Sequence, residues 1–152
     1  MVPGELTLRR AVDEDALAVA ELFLVSKRKG LPYLPELHPD DETRAWMAQT
    51  VFRECEVWVA EAGSGLAGFL AATRETVEHL YVLPGRQGRG VGSLLLERAK
   101  ARSAGILRLW AFQRNERARG FYERHGFRVV RFGDGSENEE NEPDVLYEWR
   151  AG

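Results

Sequence analysis

The chain carries one cysteine, Cys55, and three histidines in 152 residues. A lone thiol excludes an intrachain disulfide, and the absence of a Cys/His cluster at ligand spacing gives no reason to expect a metal. No window approaches the roughly 18 consecutive apolar residues of a membrane helix, and the opening "MVPGELTLRRAVDEDA" lacks the apolar centre of a signal peptide. These absences predict a cytoplasmic protein with no membrane partner. There are no internal repeats. What is present, a 44% hydrophobic content, fits a single α/β domain over residues 1–152 with a sizeable core.

Positive charge is scarce overall but concentrated. The formal net charge is -3, yet the stretch from Arg86 to Arg128 holds 11 Lys/Arg against 3 acids, a local balance of +8 that leaves about -11 elsewhere. Such asymmetry suggests an anionic partner for the middle segment, although arginines also serve simply to solvate helix faces. Nucleic acid is not expected, because the chain is acidic overall and shows no recognition-helix or RNP-type pattern. A homodimer is left open.

Periodicity sets out the elements. Leu6 to Arg9 reads as a strand, and Asp13 as a cap before a helix over "ALAVAELFLVSK". "GLPYLPELHPDD" has three prolines and no period, so it reads as a loop, after which Asp41 opens a helix through Val51. "EVWVAEA" and "LAGFLAAT", joined across "GSG", and then "TVEHLYVL" read as an antiparallel meander. Val91, Leu94, Leu95 and Ala99 mark an amphipathic helix ending near Gly105, followed by the strand "ILRLWAF". Asn115 starts a helix through His125 that stops at Gly126, "FRVVRF" and "VLYEWR" are strands, and the six acids of "GDGSENEENEPD" read as a mobile solvated loop. The predicted order is βααβββαβαββ, a mostly antiparallel mixed sheet of six or seven strands with about four helices and one βαβ crossover.

Between strand and helix lies "PGRQGRGVG", with glycines at Gly88, Gly90 and Gly92. A glycine turn feeding a helix presents amides with no intrahelical partner at the positive end of the dipole, which makes an anion site. Glycine lets the backbone approach the anion and adopt positive φ. A P-loop would need G-K-[ST] after its second glycine, and a G-x-G-x-x-G fingerprint starting at Gly88 would need glycine at Ser93, so ATP and dinucleotides are disfavoured.

"QGRGVG", Gln87 to Gly92, fits Q/R-x-x-G-x-G/A, and "NERARGFYERHGF", Asn115 to Phe127, fits N-x-x-A-x-x-F-Y-x-x-x-G-F. In this order and separation they closely resemble the GCN5-related N-acetyltransferase (GNAT) superfamily. The resemblance implies acetyl-CoA as co-substrate, its pyrophosphate wrapped by Gln87, Gly88, Arg89, Gly90, Val91, Gly92 and Ser93. It also implies that the strand near Leu80, Tyr81 and Val82 splays from its neighbour, its main chain pairing with the pantetheine arm while one N–H polarises the thioester. Arg86 is a further candidate for the phosphates, or is merely solvated. An acyl-CoA-binding regulatory module that acetylates nothing is the competing reading.

By the same resemblance Asn115 contacts the pantetheine region and Tyr122 stands near the sulfur as general acid. A phenol near pKa 10 protonating a thiolate near 8.5 is uphill by roughly 2 kcal/mol, so a hydrogen bond to sulfur is the alternative. The attacking amine needs a base or a water chain, and Glu78 and His79 are the candidates. Strand alternation sets Glu78, Leu80 and Val82 on one face and Val77, His79 and Tyr81 on the other. For the acceptor pocket the resemblance points to "KGLPYLPELHPDDETRAWM", where Tyr33, His38 and Trp46 are lining candidates and Asp40, Asp41 and Glu42 are either a lure for a cationic amine or a helix cap.

Overall fold

Alternation in the strands translates directly into layers. Along β5 (Ile106–Phe112), Leu107, Leu109 and Ala111 are buried while Ile106, Arg108 and Trp110 are exposed. This is the period-2 signature of a sheet with one covered face. The computed structural model describes residues 6–63 and 65–152; the "GSG" hairpin tip expected between the second and third strands includes Ser64, outside the described residues.

The first sheet has the order β1 (Leu6–Arg10), β2 (Glu56–Ala62), β3 (Gly65–Ala72), β4 (Val77–Val82), with every neighbouring pair antiparallel. The second runs β5, β7 (Asp144–Arg150), β6 (Arg128–Gly133), also antiparallel. The helices are α1 (Ala16–Gly30), α2 (Asp40–Trp46), a π segment over Met47–Val51 leading into the last turn α3 (Phe52–Glu54), α4 (Val91–Arg102) and α5 (Glu116–Arg124). Taking the helical run from α2 to α3 as one, the order is the expected βααβββαβαββ. The mixed character of the sheet is confined to one place: β4 and β5, linked by the α4 crossover, touch through a single parallel bridge, Thr76 to Arg108.

Helix starts depart from expectation in detail. Asp13 does not cap α1; it opens a 3-10 turn over Asp13–Asp15. Asp15 takes the turn's polar duties instead, accepting from the Val12 N–H at 2.8 Å and from both Arg9 NH groups at 2.8 and 2.9 Å. The second helix starts at Asp40, and the helical run continues to Glu54.

Two apolar clusters cover the first sheet. On one face α4 packs Val91, Leu95 and Leu96 against Leu70 of β3, and the same cluster extends to Leu107, Val145 and Tyr147 of the second sheet. On the other face Val19, Ala20 and Phe23 of α1 and Met47 meet Val57, Val59 and Phe69. Each fully buried Leu, Val or Phe contributes about 1.5–3 kcal/mol.

The acidic stretch is a largely exposed loop, as read from composition, but it is tied to the rest of the molecule. Asn138 donates to the Glu142 carbonyl at 2.8 Å and to Asp144 Oδ2 at 3.0 Å, and Glu142 pairs twice with Arg114. Glu139 reaches His38 and Glu140 reaches Lys27, which fastens the stretch to α1 and the loop after it. Composition counts like charges and cannot register partners supplied from 28 to 113 residues away.

Candidate active site

Beyond the Thr76 bridge, β4 and β5 diverge, and among the described residues no strand pairs with this edge of β4. Leu83 N–H points to Ala67 of β3 at 2.8 Å. By the two-residue alternation, the Val82 and Leu80 amides therefore point away from β3, into the gap. The Tyr81 main chain pairs with Phe69 on β3, so Tyr81 enters the site by its side chain.

The gap opens into a cleft of about 780 Å³. Leu80, Tyr81 and Val82 line it from β4; Gln87, Gly88, Gly90, Gly92 and Ser93 from the turn and the start of α4; Asn115 and Tyr122 from the α5 side. Gly88 and Gly90 have φ of +79° and +83°, and a Cβ at either would meet nothing within 4 Å. These glycines are thus required by conformation, and the space before them is free for a ligand. The Val91, Gly92 and Ser93 amides precede the first intrahelical bond, Leu94 N–H to Gly90 O at 3.0 Å. At Gly92 the constraint is packing: a Cβ there would lie 3.2 Å from the Phe121 ring, which would have to shift slightly.

Of the other residues read from sequence, Arg89 is exposed and off the cleft wall, and the Val91 side chain is buried in the core, leaving it only its amide to offer. Glu78 and His79 do not line the cleft either. A bulge between β3 and β4 breaks the assumed alternation: Ala71 pairs with His79 but Ala72 with Val77. Val77 therefore joins Leu80 and Val82 on the α4 face, contrary to expectation, and Glu78 is the extra, exposed residue. Glu78 acts on Cys55, whose thiol is pushed up to about 11 by burial first and by this carboxylate second. Cys55 therefore stays a thiol at neutral pH.

His79 faces the opposite side, edge-on to Phe23 at 5.7 Å and Trp46 at 5.2 Å, with Tyr81 at 6.5 Å. Burial, with Lys27 adding to it, pushes its pKa down to about 4. Tyr122 is 9% exposed, its ring packed against Phe121 and Phe127 while it lines the cleft. Burial, then the Tyr81 phenol, raises its pKa well above the ordinary phenol range, so it stays protonated. Asn115 caps α5, its Oδ1 accepting from Ala118 N–H at 3.2 Å, which leaves its amide NH₂ for the cleft.

The residues 53–129 match the model of the acetyltransferase (GNAT) domain. The probable N-acetyltransferase Rv2775 of Mycobacterium tuberculosis is 32% identical over 147 residues, 85% of this chain and 83% of that protein. The chain belongs to the GNAT acetyltransferases. It is an acetyl-CoA-dependent acetyltransferase. The peptidyl-lysine N-acetyltransferase YjaB of Salmonella typhimurium is 34% identical over 78 residues, 51% of this chain and 53% of that protein. Among solved folds, apo YjaB from Escherichia coli superposes with a TM-score of 0.79 at 22% identity over 100% of both chains. YncA from Salmonella typhimurium, solved with acetyl-CoA, gives 0.72 at 19% identity over 97% of this chain and 95% of that one.

Several wall residues of this GNAT cleft escaped sequence reasoning. Ser26, Lys29 and Leu31 come from the end of α1, and Arg117, Phe121, Arg124 and His125 from α5. Ser26 Oγ approaches the Val82 carbonyl at 3.5 Å. The α5 set had a signal, since Asn115, Ala118 and Tyr122 already fixed which helix face turns inward; the α1 set had none. A second cavity, about 300 Å³, lies between α1, the loop after it and the acidic stretch, with Phe23, Leu31, His38 and Glu140 in its wall. Tyr33 and Trp46 do not line it. The Tyr33 hydroxyl is buried without a partner, and the Arg114 guanidinium stacks 4.0 Å from its ring. Asp40, Asp41 and Glu42 are already paired with Arg28, Arg44 and His38.

Proposed function

We propose that the protein transfers the acetyl group of acetyl-CoA to a primary amine, the ε-amine of a peptide or protein lysine, by direct attack with both substrates bound. The observation that carries this reading is the convergence in one cleft of the β4 edge amides, the start of α4 and Tyr122. Two relatives, the peptidyl-lysine N-acetyltransferases YjaB of Salmonella typhimurium and YiaC of Escherichia coli, the latter 26% identical over 124 residues, support the acceptor class.

The residues fit acetyl-CoA. Gly88, Gly90 and the α4 amides offer donors to a diphosphate, and Lys29 of α1 and Arg117 and Arg124 of α5 line the same cleft. The Leu80 and Val82 amides are free to pair with an extended arm and to polarise a carbonyl. When bound, the coenzyme supplies an activated acyl group. Tyr122 then serves the departing sulfur as a hydrogen-bond donor, because its raised pKa makes full proton transfer costlier than for an ordinary phenol.

His79 is no sink for the proton of the amine. With a pKa of about 4 it is neutral at pH 7, but holding a proton from an ammonium near 10.4 would be uphill by roughly 6 units, about 9 kcal/mol. It does not store the proton, and Glu78 is exposed and does not line the cleft. The acceptor reacts from its neutral form, with the proton released to water. The expected result with a lysine peptide is a kcat/KM rising about tenfold per pH unit through neutrality; a plateau setting in below about pH 8 shows an enzyme base and overturns this step. Tyr122→Phe lowers kcat at least about tenfold while acetyl-CoA affinity stays within about twofold, and turnover at the wild-type rate removes the donor role. Acetyl-CoA binding without acetylation of any peptide or small amine leaves the regulatory-module reading.

A further inference from the structure

Where α4 begins and α5 ends, two helices bring together side chains that the transfer step does not use. Ser93 Oγ lies 3.0 Å from His125 Nε2, and one turn further along α4 Glu97 Oε2 lies 3.7 Å from His125 Nδ1. The imidazole is held from other sides as well: Lys100 Nζ donates to the His125 carbonyl at 2.7 Å, and the Phe121 ring sits 4.6 Å away. Ser93 and His125 line the cleft, whereas Glu97 stands outside it. The ring therefore has a hydroxyl on its cleft side and a carboxylate on its solvent side. The charged groups around it are Glu97 and Lys100 from α4 and Arg124 from α5.

We propose that His125 and Ser93 form a proton-linked contact for the coenzyme diphosphate, so that binding takes up a proton from solvent. The inference rests on the reading of the cleft as the acetyl-CoA site. It follows from counting donors. If Nε2 is the bare nitrogen, the Ser93 hydroxyl gives its hydrogen to the ring and turns only lone pairs towards an anion at the start of α4. If Nε2 carries the hydrogen in a neutral ring, Ser93 can donate to phosphate, but the bare Nδ1 then faces the Glu97 carboxylate. The imidazolium also donates from Nε2 to Ser93 and frees the Ser93 hydrogen for the phosphate, and of the three forms it alone meets the Glu97 carboxylate, 3.7 Å from Nδ1, as an opposite charge. An anion at that place favours this form further by its charge.

The test is calorimetric titration of the whole protein with dephospho-CoA, which keeps the diphosphate but lacks the terminal phosphate monoester that itself titrates near pH 6. Runs between about pH 5.5 and about pH 8, in two buffers of different ionisation enthalpy, read proton uptake directly. Expected for the wild type are buffer-dependent heat and an affinity falling about tenfold across that range. His125→Gln, which keeps the main-chain carbonyl used by Lys100, is expected to bind with no buffer-dependent heat and a flat pH profile. Glu97→Gln, at an exposed position, is expected to move the proton uptake to lower pH, because the carboxylate beside Nδ1 no longer favours the imidazolium. Proton uptake by His125→Gln equal to the wild type overturns the proposal; failure of the wild type to bind either dephospho-CoA or acetyl-CoA overturns the cleft assignment itself.

Discussion

His79 shows how surroundings override a side chain's ordinary chemistry. Enclosed by Phe23, Trp46 and Tyr81 and near Lys27, it is held neutral, with a pKa of about 4. The unfolded chain, whose histidines titrate near 6.5, takes up the proton first as the pH falls. The contribution to stability is therefore complete above about pH 6.5 and is lost progressively towards pH 4, amounting to at most about 3 kcal/mol. His79→Phe keeps the aromatic packing and removes this term. Urea denaturation is expected to show the wild type losing about 2 kcal/mol more than the variant between pH 7 and pH 5. Equal losses would mean that His79 is not buried neutral. Sequence put Glu78 first and His79 second as the base but could not see their surroundings, because these rest on a bulge and on Phe23 and Trp46, 33 to 56 residues earlier. Tyr122, by contrast, was legible: its neighbours in "NERARGFYERHGF" share its helix, and helical spacing is local.

At the level of elements, the glycines divide by what each one does. Gly88 and Gly90 stood out as a cluster in the sequence, but Gly68, inside "LAGFLAAT", read only as part of a strand. Its Cβ would lie 2.8 Å from the Tyr81 carbonyl and 2.9 Å from Val91 Cγ1, so Gly68 is what lets the first residue of α4 rest on β3. That seat fixes where the α4 amides point, a tertiary requirement without a local signal. Gly90 and Gly105 offer a controlled comparison. Both have positive φ, +83° and +104°, and a Cβ at either meets nothing within 4 Å, but only Gly90 is on the cleft wall. Alanine at either position is expected to cost about 1–2 kcal/mol of stability through backbone strain. Gly90→Ala is expected in addition to weaken acetyl-CoA binding at least about tenfold, and Gly105→Ala to leave it unchanged, as measured by calorimetry. If both variants bind alike, the diphosphate does not lie against Gly90.

Across the whole molecule, the basic excess between Arg86 and Arg128 was readable, but much of its partner is the chain itself. Arg102 pairs with Glu56, Arg108 with Glu148 and Arg114 with Glu142, which leaves Arg117 and Arg124 on the cleft wall to meet a ligand anion. The two sheets are coupled in the same non-local way. Their strands share one bridge, yet Leu70, Leu95, Leu107 and Val145 belong to one apolar cluster, so neither sheet can lose its helices without exposing the core of the other. The expected outcome is one cooperative thermal transition, coincident by far-UV and near-UV dichroism; two transitions would show that the sheets fold as separate units. A ligand lodged in the splay touches β4, α4 and α5 together and binds only the folded form. At about 100 times its Kd, acetyl-CoA is expected to add about 2.7 kcal/mol. For a chain of this size that raises the single Tm by roughly 5–11 °C. ATP and NAD, which the turn lacks the Lys and the third fingerprint glycine to hold, are expected to leave it unmoved. A shift with ATP or NAD equal to that with acetyl-CoA would show that the cleft recognises only a diphosphate, and not the arm that the open edge of β4 is free to pair.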